Sequence, residues 1–250
     1  MALENNSNAE TYVAEKTGYT TRSSAFRIVE AYKTIRVNLL YTLANAKSRA
    51  IVVSSAEPAA GKSTTCSNLA IVMAQTGAKV VLIDADMRKP VQHRNFHLSK
   101  TMGLSKILGG LNSLDECIKQ GVLPNLDVIP AGSIPPNPSE LLGSERMNKL
   151  LVELQKRYDY VFLDTPPIGV VSDALVLAPQ TAGVVLVARQ RETTYEELKE
   201  SIEGIEQVQA TMLGVVINDV RMNKTGYGSY DKKRYYRSYN YEYGEKSEND

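Results

Sequence analysis

The sequence predicts an α/β fold: a doubly wound, mostly parallel sheet with helices on both faces. Three observations lead there. Short apolar runs rich in Val, Ile and Leu recur at 51–53, 79–84, 125–130, 160–164, 183–188 and 214–217, with helix-like segments between most of them. The runs do not alternate apolar with polar residues, which suits strands covered on both faces. The first run leads into Gly61-Lys62-Ser63, and two others end in aspartate. Those polar groups would stand at the carboxyl edge of a parallel sheet, where open α/β folds gather their ligands.

Length and composition suit one large domain. A chain of 250 residues can bury a full core, and 43% hydrophobic and 23% charged residues are ordinary for a soluble globular protein. No apolar run approaches the roughly 20 residues that a membrane-spanning helix needs. The start, MALENNSNAETY, lacks a basic stretch followed by an apolar one. A net charge of +1 argues against bulk nucleic-acid binding. Cys66 and Cys117 make neither a disulfide framework nor a metal set, and Cys66 reads as a small buried residue. Together these features point to the cytoplasm.

Taken in order, residues 1–22 are polar and read as a flexible arm. A helix is expected over 24–46, capped by Ser23 or Ser24, with Phe26, Val29, Ile35, Leu39, Leu40 and Leu43 on its apolar face and a break near Tyr32. Glu30, Lys33 and Arg36 fall three apart on the other face, which reads as a solvated charged surface. Strand 51–53 turns through small residues into a helix over 62–75. Gly61-Lys62-Ser63 ends a phosphate-binding loop. Small side chains let backbone N–H groups point at phosphate oxygens, and the helix start adds free N–H groups and its positive dipole end. Lys62, expected in a solvated ligand site, supplies a full charge to the β- and γ-phosphates, and the Ser63 hydroxyl ligates Mg²⁺. Five residues before Gly61, where the usual pattern has glycine, stands Ala56.

Strand 79–84 ends in Asp84-Ala85-Asp86-Met87-Arg88, two carboxylates that point to one side of an extended chain. Arg88 is either an ion partner within the fold or a phosphate contact. Two short helices are expected over 103–120, then strand 125–130. Residues 131–142, AGSIPPNPSELL, form a Pro-rich turn into a helix, with Ser139-Glu140 near its start. A helix over 146–157 leads to strand 160–164, which ends in Asp164 before Thr165-Pro166-Pro167. An apolar strand ending in aspartate is the expected second half of a nucleoside-triphosphatase site. A helix over 173–178, strand 183–188, a helix over 193–207 capped by Thr193 or Thr194, and strand 214–217 complete the domain, with Asn218-Asp219 at its end. From Met222 onward aliphatics nearly vanish, and Tyr227, Tyr230, Tyr235, Tyr236, Tyr239, Tyr241 and Tyr243 are half of the chain's 14 tyrosines. Such a segment cannot bury enough to order itself; it is either an adhesive binding tail or a modification site.

These residues together resemble the bacterial tyrosine kinases of capsule and exopolysaccharide synthesis (BY-kinases), from about Ser24 to the tail. SSAEPAAGKSTT resembles that family's Walker A loop, VVLIDADMRKP its Walker A′ segment, YVFLDTPP its Walker B segment, and AGSIPPNPSELL a stretch typical of it. Two positions depart from the family: Ala59 stands where glycine is usual, and Lys33 where arginine is usual. The resemblance implies a P-loop kinase domain over 23–221 and an autophosphorylation tail over 222–250. It implies transfer from ATP to tyrosine with Mg²⁺. Ala59, Ala60, Gly61, Lys62, Ser63 and Thr64 would hold the phosphates, Asn218 would touch the adenine, and Ser63, Asp86 and Asp164 would hold the metal. Lys62, Asp84 and Asp86 would carry the chemistry, with the two aspartates interchangeable as proton acceptor. Glu30, Lys33 and Arg36 fall on a ring-forming motif. A membrane-bound activator of the polysaccharide co-polymerase type, a ring of copies and a cognate tyrosine phosphatase would be the partners, with recruitment to the inner face of the membrane. Two other readings stand beside it: a ParA- or MinD-like ATPase of the same fold, which would carry a signature lysine at the place of Glu57, and a non-enzymatic, nucleotide-gated scaffold for polysaccharide assembly.

Overall fold

The computed structural model describes residues 22–220; the N-terminal arm and the tail tyrosines lie outside them. Among the described residues, helix α1 (Arg22–Thr42) precedes strand β1 (Ala50–Ser55) and helix α2 (Lys62–Ala74). Strand β2 (Val80–Asp84) is followed by three short helices, α3 (Gln92–Asn95), α4 (Leu104–Leu108) and α5 (Leu114–Cys117). A hairpin of β3 (Lys119–Leu123) and β4 (Leu126–Ile129) leads to α6 (Pro138–Leu142), α7 (Glu145–Arg157) and β5 (Tyr160–Asp164). Helix α8 (Asp173–Leu177), β6 (Gly183–Arg189), α9 (Tyr195–Gln207) and β7 (Met212–Asn218) follow.

The strands form one sheet in the order β3-β4-β2-β5-β1-β6-β7. Every neighbouring pair is parallel except β3 with β4. Successive side chains leave a strand on opposite faces, and two cores follow. Ile51, Val53, Leu82 and Phe162 pack under α1 and α2. Val52, Val81, Leu163 and Leu186 pack under α4 to α9 with Leu108, Met147, Leu154 and Ile205. Buried on both faces, β1, β2 and β5 are apolar throughout until their last residues.

Three local expectations change. The span read as two helices over 103–120 gives up its end to β3, an edge strand with Gly121 at φ 64° and weak strand composition. Helix α1 stops at Thr42, a turn short of Ala46. Its buried stripe is Val29, Tyr32, Leu39 and Leu43, while Phe26 is exposed. The supposed break at Tyr32 is therefore part of the packed face, and Arg36 sits in that same stripe at helical spacing from Val29 and Tyr32.

Candidate active site

Strands β2, β5 and β1 are adjacent, and each delivers one part of a site at its carboxyl end. β1 runs into the loop before α2, β5 ends at Asp164 and β2 ends at Asp84. Asp84 and Asp164 are register partners, so their side chains leave the sheet on one face; both are fully buried.

The loop turns on two left-handed residues, Ala59 at φ 64° and Gly61 at φ 93°. A Cβ on Gly61 would lie 2.1 Å from the Asn218 amide nitrogen, so glycine is required there. Ala59 adopts its conformation with the methyl in place, at a cost of about 1–2 kcal/mol. Asn218 donates from Nδ2 to the Ala60 carbonyl at 2.9 Å, holding the loop from the end of β7. Its amide nitrogen is thus engaged by the loop rather than left for a base.

Lys62 is only 9% exposed, which corrects the expectation of a solvated site. Its ammonium lies 2.9 Å from Asp86 Oδ2, 3.5 Å from Asp164 Oδ1 and 3.1 Å from Ser63 Oγ. Burial opposes the charge on Lys62, but Asp164 and Asp86, with Asp84 behind them, outweigh it and raise its pKa. Ser63 Oγ also donates to Asp164 Oδ1 at 3.1 Å. The ammonium therefore marks a point where oxygens of Ser63, Asp86 and Asp164 converge on a cation. Burial, then the neighbouring Asp164, pushes Asp84 well above the usual carboxylate range. Asp164 is likewise raised by burial, against the Lys62 ammonium, the Gln92 amide and the Ser63 hydroxyl.

The two Walker A′-like carboxylates are used differently. Asp84 Oδ2 accepts from the backbone N–H groups of Val91 and Gln92 at 3.0 and 2.9 Å, while its Oδ1 is buried without a partner. Asp86 Oδ1 accepts from the Lys89 N–H at 2.9 Å, leaving Oδ2 for Lys62. The Ser63 hydroxyl, Asp86 Oδ2 and Asp164 Oδ1, already gathered about one ammonium, are hard oxygen donors of the kind a divalent cation such as Mg²⁺ takes.

Sequence reasoning missed Gln92. It is fully buried. Its Nε2 donates to Asp164 Oδ2 at 2.8 Å and to the Ser63 carbonyl at 3.1 Å, and its Oε1 accepts from Ser67 and Asn95. Nothing in its sequence context marks it, because a glutamine in a four-residue helix carries no motif. Arg88 resolves as an ion partner: it forks onto Asp173, with Nε to Oδ2 at 2.9 Å and a second nitrogen to Oδ1 at 3.0 Å. Ser139, from the Pro-rich stretch, joins both groups. Glu57, at the place of the partition ATPases' lysine, accepts from Thr193 Oγ1. Thr194 begins α9 with a reciprocal cap to Glu197.

The trio on α1 does not share one face. Lys33 pairs with Glu30 at 2.8 Å, whereas Arg36 turns to α2 and donates to the Val72 carbonyl at 2.7 Å. Cys66 is fully buried, and its thiol pKa is pushed up by burial and then by Asp164.

The chain and its fold have counterparts among known proteins. A family model described as an AAA domain matches residues 48–220. The tyrosine-protein kinase YwqD of Bacillus subtilis is 40% identical over 205 residues, 82% of this chain and 86% of that protein. The crystal structure of the chimerical protein CapA2B2 superposes with a TM-score of 0.74 at 36% identity, covering 84% of this chain and 90% of that one. The chain belongs to the bacterial tyrosine-protein kinase family. The family also includes longer proteins: this chain is 37% identical to the tyrosine-protein kinase wzc of Salmonella typhimurium over 83% of its own length but 29% of that protein's. Proteins of the ParA and MinD kind share the fold alone; MinD of Pyrococcus horikoshii reaches a TM-score of 0.61 at 19% identity.

Proposed function

We propose that this chain moves the γ-phosphoryl group of ATP to tyrosine hydroxyls in the tail of a second copy, within polysaccharide synthesis. The observation that carries this is the convergence of Ser63, Asp86 and Asp164 on the Lys62 ammonium at the end of a phosphate-type loop. The relatives' names supply the acceptor class.

Phosphoryl transfer passes through a loose transition state, so positioning and charge neutralisation do most of the work. Backbone N–H groups from Ala59 to Thr64 would cradle the phosphates. Lys62 would turn from the acids to the β- and γ-oxygens. Ser63, Asp86 and Asp164 would then hold Mg²⁺, which supplies charge neutralisation between the phosphates. A tyrosine hydroxyl, with a pKa of about 10, loses its proton as transfer proceeds. Asp84 is enclosed and holds the start of α3, which aims Gln92 at Asp164. Asn218 would contribute its Oδ1 toward the adenine. Glu30, Lys33 and Arg36 would reach a neighbouring copy only by exchanging the contacts they make within the chain.

No helix among the described residues is long and apolar enough to cross a membrane. Recruitment to the inner face of the membrane by a membrane-bound activator belongs to the same proposal. The test is mass spectrometry of purified chain after incubation with Mg·ATP, wild type against Lys62→Met. Phosphotyrosine between Tyr227 and Tyr243 in the wild type alone is expected. Equal modification in both proteins would overturn the reading.

A further inference from the structure

A separate concavity, largely apolar but carrying cationic side chains, lies on the segment that follows the acid cluster. It is a groove of about 590 Å³ lined by Pro90, His93, Arg94, Lys100, Ser133 and Ile134 among others. That volume lies within the range of ligand sites. Pro90 stands between Lys89 and Val91, whose N–H groups bind Asp86 and Asp84, and His93 follows Gln92, which binds Asp164. The groove therefore shares its wall with the segment that holds all three acids.

Its charge is one-sided. None of the lining residues is acidic, and the Arg94 and Lys100 side chains have no ion-pair partner among the described residues. His93 Nδ1 is buried without a hydrogen-bond partner. The walls are also fixed. Leu104 and Ser105 donate to the carbonyls of Pro130 and Ala131, and a Cβ on Gly103 would lie 2.0 Å from the Pro130 oxygen. The two backbones on this side meet too closely to rearrange freely.

We propose that this groove binds the phosphotyrosine-bearing tail of a second copy, once the acid cluster has released it. The inference rests on the kinase reading above and adds where the product goes. The tail's charge supports it. Between Tyr227 and Tyr243, Lys232, Lys233, Arg234 and Arg237 stand against Asp231 and Glu242, a net +2. Unmodified, that segment suits Asp84, Asp86 and Asp164 and is repelled by Arg94 and Lys100. Each phosphate adds about −1.5 to −2 charges, so two invert the sign. The modified tail is then repelled by the acids and attracted to the groove. An arginine fork and a lysine are suited to a phosphate dianion. Burial lowers the His93 pKa, and Arg94 and Lys100 lower it further, as expected of cations crowded without a counter-ion. Such a transfer clears the acids for the next tyrosine.

The test uses the full chain with its seven tail tyrosines changed to phenylalanine, without nucleotide and at about 0.15 M salt. Two labelled peptides spanning residues 226–246 are titrated by fluorescence anisotropy, one unmodified and one with phosphotyrosine at Tyr239 and Tyr241. The modified peptide is expected to bind at least tenfold tighter, and Arg94→Ala with Lys100→Ala to abolish that difference. Equal binding of the two peptides, or an undiminished preference in the double variant, would overturn the proposal. A parallel assay measures the first phosphate placed on the unmodified peptide, which the double variant should add at the wild-type rate. If the wild type adds none, the kinase reading fails while the titration still decides the groove.

Discussion

Replacing Gln92 by alanine tests whether the acid cluster is held together by a residue outside every motif. Four hydrogen bonds disappear. Ser67 keeps its bond to the Ser63 carbonyl at 2.8 Å, and Asn95, partly exposed, can turn to water, so those two losses are small. The Asp164 contact is different: a fully buried carboxylate loses an amide donor at 2.8 Å. A hydrogen bond to a charged group contributes about 1.5–3 kcal/mol. Adding the remaining bonds and a small cavity gives a loss of about 3 kcal/mol. For a domain of this size that lowers Tm by roughly 6–12 °C. Scanning calorimetry of metal- and nucleotide-free protein at pH 7.5 measures it. The Asp164 pKa should rise further, so Mg·ADP affinity should fall more steeply below neutral pH than in the wild type. A Tm change under about 2 °C would refute the claim that Gln92 organises the site.

Other outcomes follow from the same geometry. Gly61→Ala should abolish nucleotide binding in calorimetric titration, because the added methyl collides with Asn218 and the backbone is left-handed; wild-type affinity would contradict it. Ala59→Gly should leave stability within about 1 kcal/mol, since relief of about 1–2 kcal/mol of strain is offset by the greater unfolded-state entropy of glycine; chemical denaturation reads this. Asp84→Asn should flatten the pH dependence of stability. Asp84 and Asp164 bind protons more tightly folded than unfolded, so their contribution is present below about pH 4 and is lost as pH rises through the raised values. Melting curves of variant and wild type from pH 4.5 to 8 should therefore diverge with rising pH in the variant's favour; parallel curves would contradict the assignment. Thr194→Ala removes the cap of α9 and should cost about 1 kcal/mol, with activity unchanged.

The sheet was legible because its strands are buried on both faces, so β1, β2, β5 and β6 appear as unbroken apolar runs. The edge strand β3 was not: Lys119-Gln120-Gly121 lacks both β-branched residues and alternation, and only its pairing with β4 makes it a strand. Within the site, Lys62, Ser63, Asp86 and Asp164 could be picked out because motif spacing fixes them at strand ends and a helix start. Gln92 could not, since its role depends on Asp84 holding the backbone of residues 91 and 92 in place. The status of Arg88 required knowing that Asp173, 85 residues later, is buried across from it. Arg36 was assigned to the charged face because it lies three residues from Lys33, yet its seven-residue offset from Val29 places it on the packed stripe.

The central claim is that one copy's acid cluster phosphorylates another copy's tail. The direct measurement mixes two full-length chains with Mg·ATP. One carries Lys62→Met with all tail tyrosines intact, and the other has a wild-type site with its seven tail tyrosines changed to phenylalanine. Intact-mass analysis should find phosphates on the Lys62→Met chain, mapped between Tyr227 and Tyr243, and none when that chain is incubated alone. An unmodified Lys62→Met chain in the mixture, when wild-type chain alone is phosphorylated, would contradict the account.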